Sequence, residues 1–251
     1  MNDVSVSSDT WSFLRSFTPA RIAQGRTGHS LPTNVLLDFQ LDHARARDAV
    51  YSELDTLALV EQVRQVYPQV LSLHSQAADR RQYLQRPDFG RRLDSRSRET
   101  LVTLSPTPSD LCIVIADGLS ATAINRHAVP VVSKLLEACK QLHWMVAPLC
   151  VVEQGRVAIA DEIGHALNAE MVVVLIGERP GLTSPDSMGA YLTYQPKPGL
   201  TDESRNCISN IRPEGLPYDA TVQKLLYLLK KMKTRRLSGV HLKDEMSGLL
   251  P

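Results

Sequence analysis

The chain lacks several features that would assign it quickly. Its four cysteines, Cys112, Cys139, Cys150 and Cys207, show no CxxC spacing among 251 residues, which argues against a zinc site. Cys112, Cys139 and Cys150 lie in or beside apolar runs and read as small buried hydrophobes of a reducing cytosol. No run of about 18 apolar residues is present, so no membrane span is expected. Neither sign of charge dominates: 28 basic residues face 27 acidic ones, a formal +1, and nucleic acid as main partner normally requires a basic excess. Aromatics make up only 5%, too sparse to interleave with the arginines between Arg80 and Arg98 as a nucleic-acid surface does. That arginine zone reads as a solvated helix face with intersubunit salt bridges.

Stock catalytic motifs are also missing. Gly25-Arg26-Thr27-Gly28 is not a phosphate-cradling loop, because no Gly-Lys-Ser/Thr follows it. No GxGxxG follows a strand, which disfavours a standard nicotinamide or flavin site. Asp117-Gly118-Leu119-Ser120-Ala121 lacks the order of a hydrolase serine elbow. His127, His143 and His165 are scattered on or beside helical segments and read as structural residues.

What is present divides by period. Residues 1–33 are polar and broken by Pro19, Gly25, Gly28 and Pro32, as expected of an extended arm. Residues 34–104 read helical. Leu37, Leu41, Ala44, Val50, Leu54, Leu57 and Val60 recur at helical spacing from Val35 to Val66, and a second helical stretch covers 69–86. From 105 to 251 the pattern becomes β-α-β-α-β. The strands are Leu111–Ala116, the apolar run Met145–Val152 and Met171–Ile176; the helices cover 124–141 and 156–168, the latter starting near Gly155 and opened by Val157. A last helix covers 218–233. The fold class expected is α/β, with a Rossmann-like parallel sheet in the C-terminal part behind a helical N-terminal region and its arm.

The loops after those strands share one rim, where open parallel sheets bind ligands. Asp117–Ala121, Glu153–Arg156 and Gly177–Gly181 are the three, and the last continues as a long polar loop to Cys207. Compact domains mostly join elements with about 4–6 residues, so this loop is too long for a connector. Glu178 either accepts hydrogen bonds from a ligand or pairs with Arg179 at the surface. Cys207 is either a wall residue or a thiol nucleophile. Tyr191 and Tyr194 either wall a flat ligand or anchor the loop.

Five blocks carry a more specific signal: 21–33 (RIAQGRTGHSLPT), 83–93 (YLQRPDFGRRL), 117–126 (DGLSATAINR), 153–165 (EQGRVAIADEIGH) and 176–214 (IGERPGLTSPDSMGAYLTYQPKPGLTDESRNCISNIRPE). With them the chain resembles the light (small) subunit of ethanolamine ammonia-lyase from about residue 17 onward. The resemblance implies a complex in which a large subunit holds substrate and radical chemistry. This chain then walls adenosylcobalamin at the interface, and ethanolamine becomes acetaldehyde and ammonia. It implies cobalamin contacts at Val157, Glu178 and Cys207, no catalytic side chain here and no protein ligand to cobalt. No His stands in an Asp-x-His-x-x-Gly context, so the cofactor is expected base-on. Neither nucleic acid nor membrane is expected as a partner. Some family members carry an amphipathic leader for a bacterial microcompartment. Met1–Phe17 here is short, Ser-rich and weakly amphipathic, so the expected location is cytoplasmic, with the microcompartment as the alternative. A stand-alone nucleotide-binding Rossmann-like enzyme is the competing function.

Overall fold

A computed structural model describes residues 9–104 and 106–246, so the first eight residues of the leader segment lie outside the described residues. The chain forms α1 (Thr33–Tyr51), α2 (Thr56–Val66), β1 (Val70–His74), α3 (Arg80–Gln85), α4 (Ser95–Thr103), β2 (Ser109–Ala116) and α5 (Ala121–Gln141). It continues with β3 (Leu149–Glu153), α6 (Ile159–Ala166), β4 (Ala169–Gly177), β5 (Met188–Tyr194), β6 (Arg205–Ile211) and α7 (Tyr218–Arg235). One six-stranded sheet runs β1-β3-β2-β4-β5-β6. The first four strands in this order are parallel; β5 runs antiparallel to β4, and β6 antiparallel to β5. The architecture is mixed α/β on a mostly parallel sheet.

Alternation within the central strands builds two cores. Leu111, Ile113 and Ile115 of β2 pack with β4's Val173 and Leu175 beneath α2, α5 and α7. Cys112, Val114 and Ala116 point the other way, with Val172 and Val174, beneath α4 and α6. Both faces are covered, which is why these strands read as unbroken apolar runs. Cys112, Cys139 and Cys150 are buried as expected, and Cys207 is exposed.

Three expectations need correction. Residues 69–86 are not one helix: Val70–His74 is an edge strand, pairing Val70 with Leu149 and His74 with Glu153. Only Leu73 of β1 is buried, so the segment carries little of the alternation that marks a strand. The true helix start at Arg80 had a signal in Asp79-x-x-Gln82. The Asp79 carboxylate accepts from the Gln82 N–H at 2.7 Å, and Gln82 Oε1 accepts from the Ala78 N–H at 2.7 Å. Second, the helical stretch 35–66 divides at Ser52–Asp55, where Asp55 caps α2 through the Ala58 N–H. The break docks on α5: Asn125 accepts from the Asp55 N–H at 3.2 Å and donates to the Glu53 carbonyl at 3.2 Å. Third, the segment 178–207 is not one long loop. It contains β5 and leads into β6, an antiparallel extension of the sheet. Its Pro and Gly residues punctuate turns between strands.

The connection β2-α5-β3 runs to one side of β2 and β3-α6-β4 crosses back over β2 to its other side, because β3 and β4 flank it. The strand order therefore reverses between β2 and β4, where an open sheet opens a crevice at its carboxyl edge. That edge is sealed by two glycines. Gly118 has φ +58°, and a Cβ there would lie 2.2 Å from the Gly177 carbonyl oxygen. Gly118→Ala is expected to lower stability by roughly 2–4 kcal/mol, from left-handed strain plus overpacking. Urea denaturation checks this, and an unchanged midpoint would refute the close approach.

Candidate functional site

The carboxyl edge brings the three expected loops together. A cleft of about 490 Å³ is lined by Gly118 and Leu119 after β2, Arg156 and Val157 after β3, and Gly177–Arg179 after β4. Tyr83, Ile176, Tyr191 and Ser209 complete it. A larger hollow of about 710 Å³ lies at the opposite end, by Ser109 and Ala169 where β2 and β4 begin. Position at the strand-order reversal, rather than size, selects the smaller one.

Asp117 organises the rim. It is 2% exposed, and its Oδ1 accepts from the Gly118 and Gly155 N–H groups, both at 2.9 Å. Arg80 approaches Oδ2 at 3.6 Å and donates to the Gly118 carbonyl at 2.7 Å and the Val50 carbonyl at 2.7 Å. The Gly177 carbonyl accepts from the Leu119 N–H at 2.9 Å, which ties β4's exit to β2's. Burial raises the Asp117 pKa to about 6, against the lowering effects of Arg80 and three backbone N–H groups.

Arg80 therefore departs from the expected solvated, intersubunit arginine face. It is a scaffold residue of the rim, and Arg98 pairs within the chain with Glu162 at 2.6 Å. Tyr83 lies beneath it: Arg80 and Arg156 stack on its ring at 4.7 and 4.4 Å. Burial raises the Tyr83 pKa, so the phenol stays protonated, and its hydroxyl donates to the Gly155 carbonyl at 3.3 Å.

Val157 and Glu178 both line the cleft. Val157 sits in the turn before α6 rather than opening it, since the helix begins at Ile159. The chain spends Gly155 and Arg156 on rim contacts first: the Arg156 N–H reaches the Gly90 carbonyl at 2.8 Å. Glu178 does not pair with Arg179. Its Oε2 accepts from the Ser187 hydroxyl and from the Asn210 N–H at 3.2 Å. Its Oε1 accepts no hydrogen bond from the described residues. Gly189 makes room for it, because a Cβ there would meet Oε1 at 2.9 Å.

Cys207 stands outside the cleft lining but beside it, on β6 opposite Tyr191. Although the residue is exposed, packing around its thiol desolvates it and raises its pKa, against the lowering effect of a hydrogen bond with Tyr191. A thiol held protonated suits a wall contact better than a nucleophile. Tyr191 lines the cleft, while Tyr194 turns to the other end, with its hydroxyl 3.3 Å from Glu170. Sequence reasoning missed Tyr83, Ser209 and the cleft role of Arg156, and of these only Arg156 had a signal, as part of a recognised rim loop; for Tyr191 the ligand-wall alternative matches its place in the lining. No group of three or more His, Cys, Asp or Glu side chains that could hold a metal occurs among the described residues.

Asp117 gives this rim a pH dependence. Its native pKa lies above the ordinary carboxylate value, so the folded chain binds the proton more tightly than the unfolded chain. This group's contribution is therefore most favourable below about pH 4 and falls as pH rises towards 6. Asp117→Asn should gain on the unsubstituted protein by about 1–3 kcal/mol between pH 4 and 7. Urea midpoints at both pH values test this, and a constant difference would contradict it.

Comparison with known proteins identifies the family. Residues 8–243 match the family model for ethanolamine ammonia-lyase light chain (EutC). The ethanolamine ammonia-lyase small subunit of Pseudomonas putida (strain W619) is 56% identical over 238 residues, covering 94% of this chain and 88% of the relative. That of Pseudomonas syringae pv. tomato is 54% identical over 248 residues, covering 98% and 86%. That of Ralstonia nicotianae is 54% identical over 242 residues, covering 95% and 90%. The chain belongs to the ethanolamine ammonia-lyase light-chain family.

Proposed function

We propose that this chain is the small subunit of an adenosylcobalamin-dependent ethanolamine ammonia-lyase that converts ethanolamine to acetaldehyde and ammonia. In this reading residues 105–251 form a Rossmann-like cobalamin-binding domain, residues 34–104 face a large subunit, and residues 1–33 are an arm laid on that partner. The observation that carries it is the crevice at the β2/β4 reversal, offering an apolar wall at Val157 and an unengaged carboxylate oxygen at Glu178. Family membership does not support a stand-alone nucleotide-binding enzyme.

Cobalamin is a large disc rimmed with amide side chains, and the residues present suit such a rim. Glu178 is fixed through one oxygen, which leaves the other aimed at an amide donor without further ordering cost. Val157 offers van der Waals contact beside it. Cys207 and Tyr191 extend the wall across the uncovered face of β5 and β6. When bound, adenosylcobalamin supplies radicals by cobalt–carbon homolysis, with its own base below the metal. This chain binds and orients; it excludes water from one side. No side chain here is assigned to bond breaking.

Apolar exposure supports a partner over the first residues: Trp11 and Phe17 are 62% and 82% exposed, and Leu37 and Leu41 of α1 also face outward. No helix among the described residues is long and apolar enough to cross a membrane. A cytoplasmic location fits this reading, and encapsulation in a microcompartment is the alternative.

Two outcomes are expected. The chain alone shows no deamination, and mixing it with the large subunit and adenosylcobalamin generates activity; full activity of the large subunit without it would overturn the proposal. Glu178→Gln weakens cobalamin binding to the complex by roughly 1–3 kcal/mol, the cost of degrading a placed acceptor. Titration followed by the corrin absorption bands measures it, and unchanged affinity would remove Glu178 from the site.

A further inference from the structure

Two guanidinium groups at the cleft have no carboxylate partner among the described residues. Arg156, entering the cleft after β3, and Arg179, entering after β4, both line it, and neither forms an ion pair with the described residues. Their neighbour Arg80 does, with Asp117. The only carboxylate among the lining residues is Glu178, which is already held by Ser187 and Asn210. Two arginines against one glutamate leave the cleft lining net positive.

Arg156 is also fixed in place. Its Nη2 donates to the Tyr83 carbonyl at 3.0 Å, its guanidinium lies over the Tyr83 ring at 4.4 Å, and its backbone N–H is tied to Gly90. Its Nε is buried with no hydrogen-bond partner. A planar guanidinium held rigid over the Tyr83 ring, lining the cleft with its charge unpaired, suits an oxyanion presented from the cleft. Arg179 is exposed and supplies charge from the facing loop.

We infer that Arg156 and Arg179 form an anion subsite for the phosphodiester of the cobalamin nucleotide tail. This rests on the cobalamin reading above and deepens it: the phosphodiester is the anionic group of that cofactor, while its corrin rim carries neutral amides. The subsite places the tail over the β3 and β4 exits and leaves Glu178 to the amide rim.

Three corrinoids separate the parts of the ligand. Cyanocobalamin carries the whole tail, cobinamide phosphate carries a phosphate without the base, and cobinamide carries neither. Each is titrated into the complex of this chain with its large subunit and followed by absorption. Arg156→Met is expected to weaken cyanocobalamin and cobinamide phosphate at least about tenfold, with cobinamide unchanged. Arg179→Ala, a change at an exposed side chain that the fold does not need, is expected to give a smaller loss in the same pattern, reduced by added salt. Arg156→Lys is expected to recover part of the loss. An equal loss across all three ligands would mean that Arg156 acts only through the fold, and no loss with any of them would remove it from the site; either overturns the subsite. Failure of the unsubstituted complex to bind any of the three would instead overturn the cobalamin reading itself.

Discussion

The buried carboxylate of Asp117 holds the rim of this protein together. It reaches the exits of β2 and β3 through two N–H groups and meets the Arg80 guanidinium arriving from α3. A buried charge is tolerated only when it is paired and hydrogen-bonded. Here those bonds are the same contacts that fix the loops, so the cleft exists where the carboxylate is satisfied. Gly118 and Gly177 are required by the same closeness, since a side chain on either would collide with backbone.

The rim holds two kinds of group. Asp117, Arg80 and Tyr83 spend their polar atoms on the chain itself. Glu178 and Arg156 are each half engaged, anchored through one side and open through the other. Such anchoring removes side-chain freedom before a ligand arrives, which favours binding without new contacts. The antiparallel pair β5 and β6 widens the wall beyond the parallel sheet. Among the described residues no helix covers its face at Tyr191, Cys207 and Ser209, where Cys207 and Ser209 are exposed, and an open face of this kind suits a broad, flat ligand.

Much of the parallel core was legible in the chain. Leu111–Ala116 and Met171–Ile176 are uninterrupted apolar runs, and burial on both faces produces that pattern. The three rim loops followed from strand ends alone, and with them Glu178 as a candidate, whereas Val157 as a contact came from the family resemblance. The edge strand β1 was not legible, because a strand with one buried residue shows no period and is made by its partner β3. β5 and β6 were obscured by turn residues between them. The arginine cluster misled for a similar reason: a sequence shows charge but not that Asp117, 37 residues beyond Arg80, waits to receive it.

The sequence by itself determined the alternation of buried strands and helices, the glycines at the rim and the family to which the chain belongs, because each is written in local residue order. Tertiary structure alone decided the strand order, the role of Arg80 and the engagement of Glu178 through one oxygen only. These depend on groups far apart in the chain meeting in three dimensions, and no local period records such meetings.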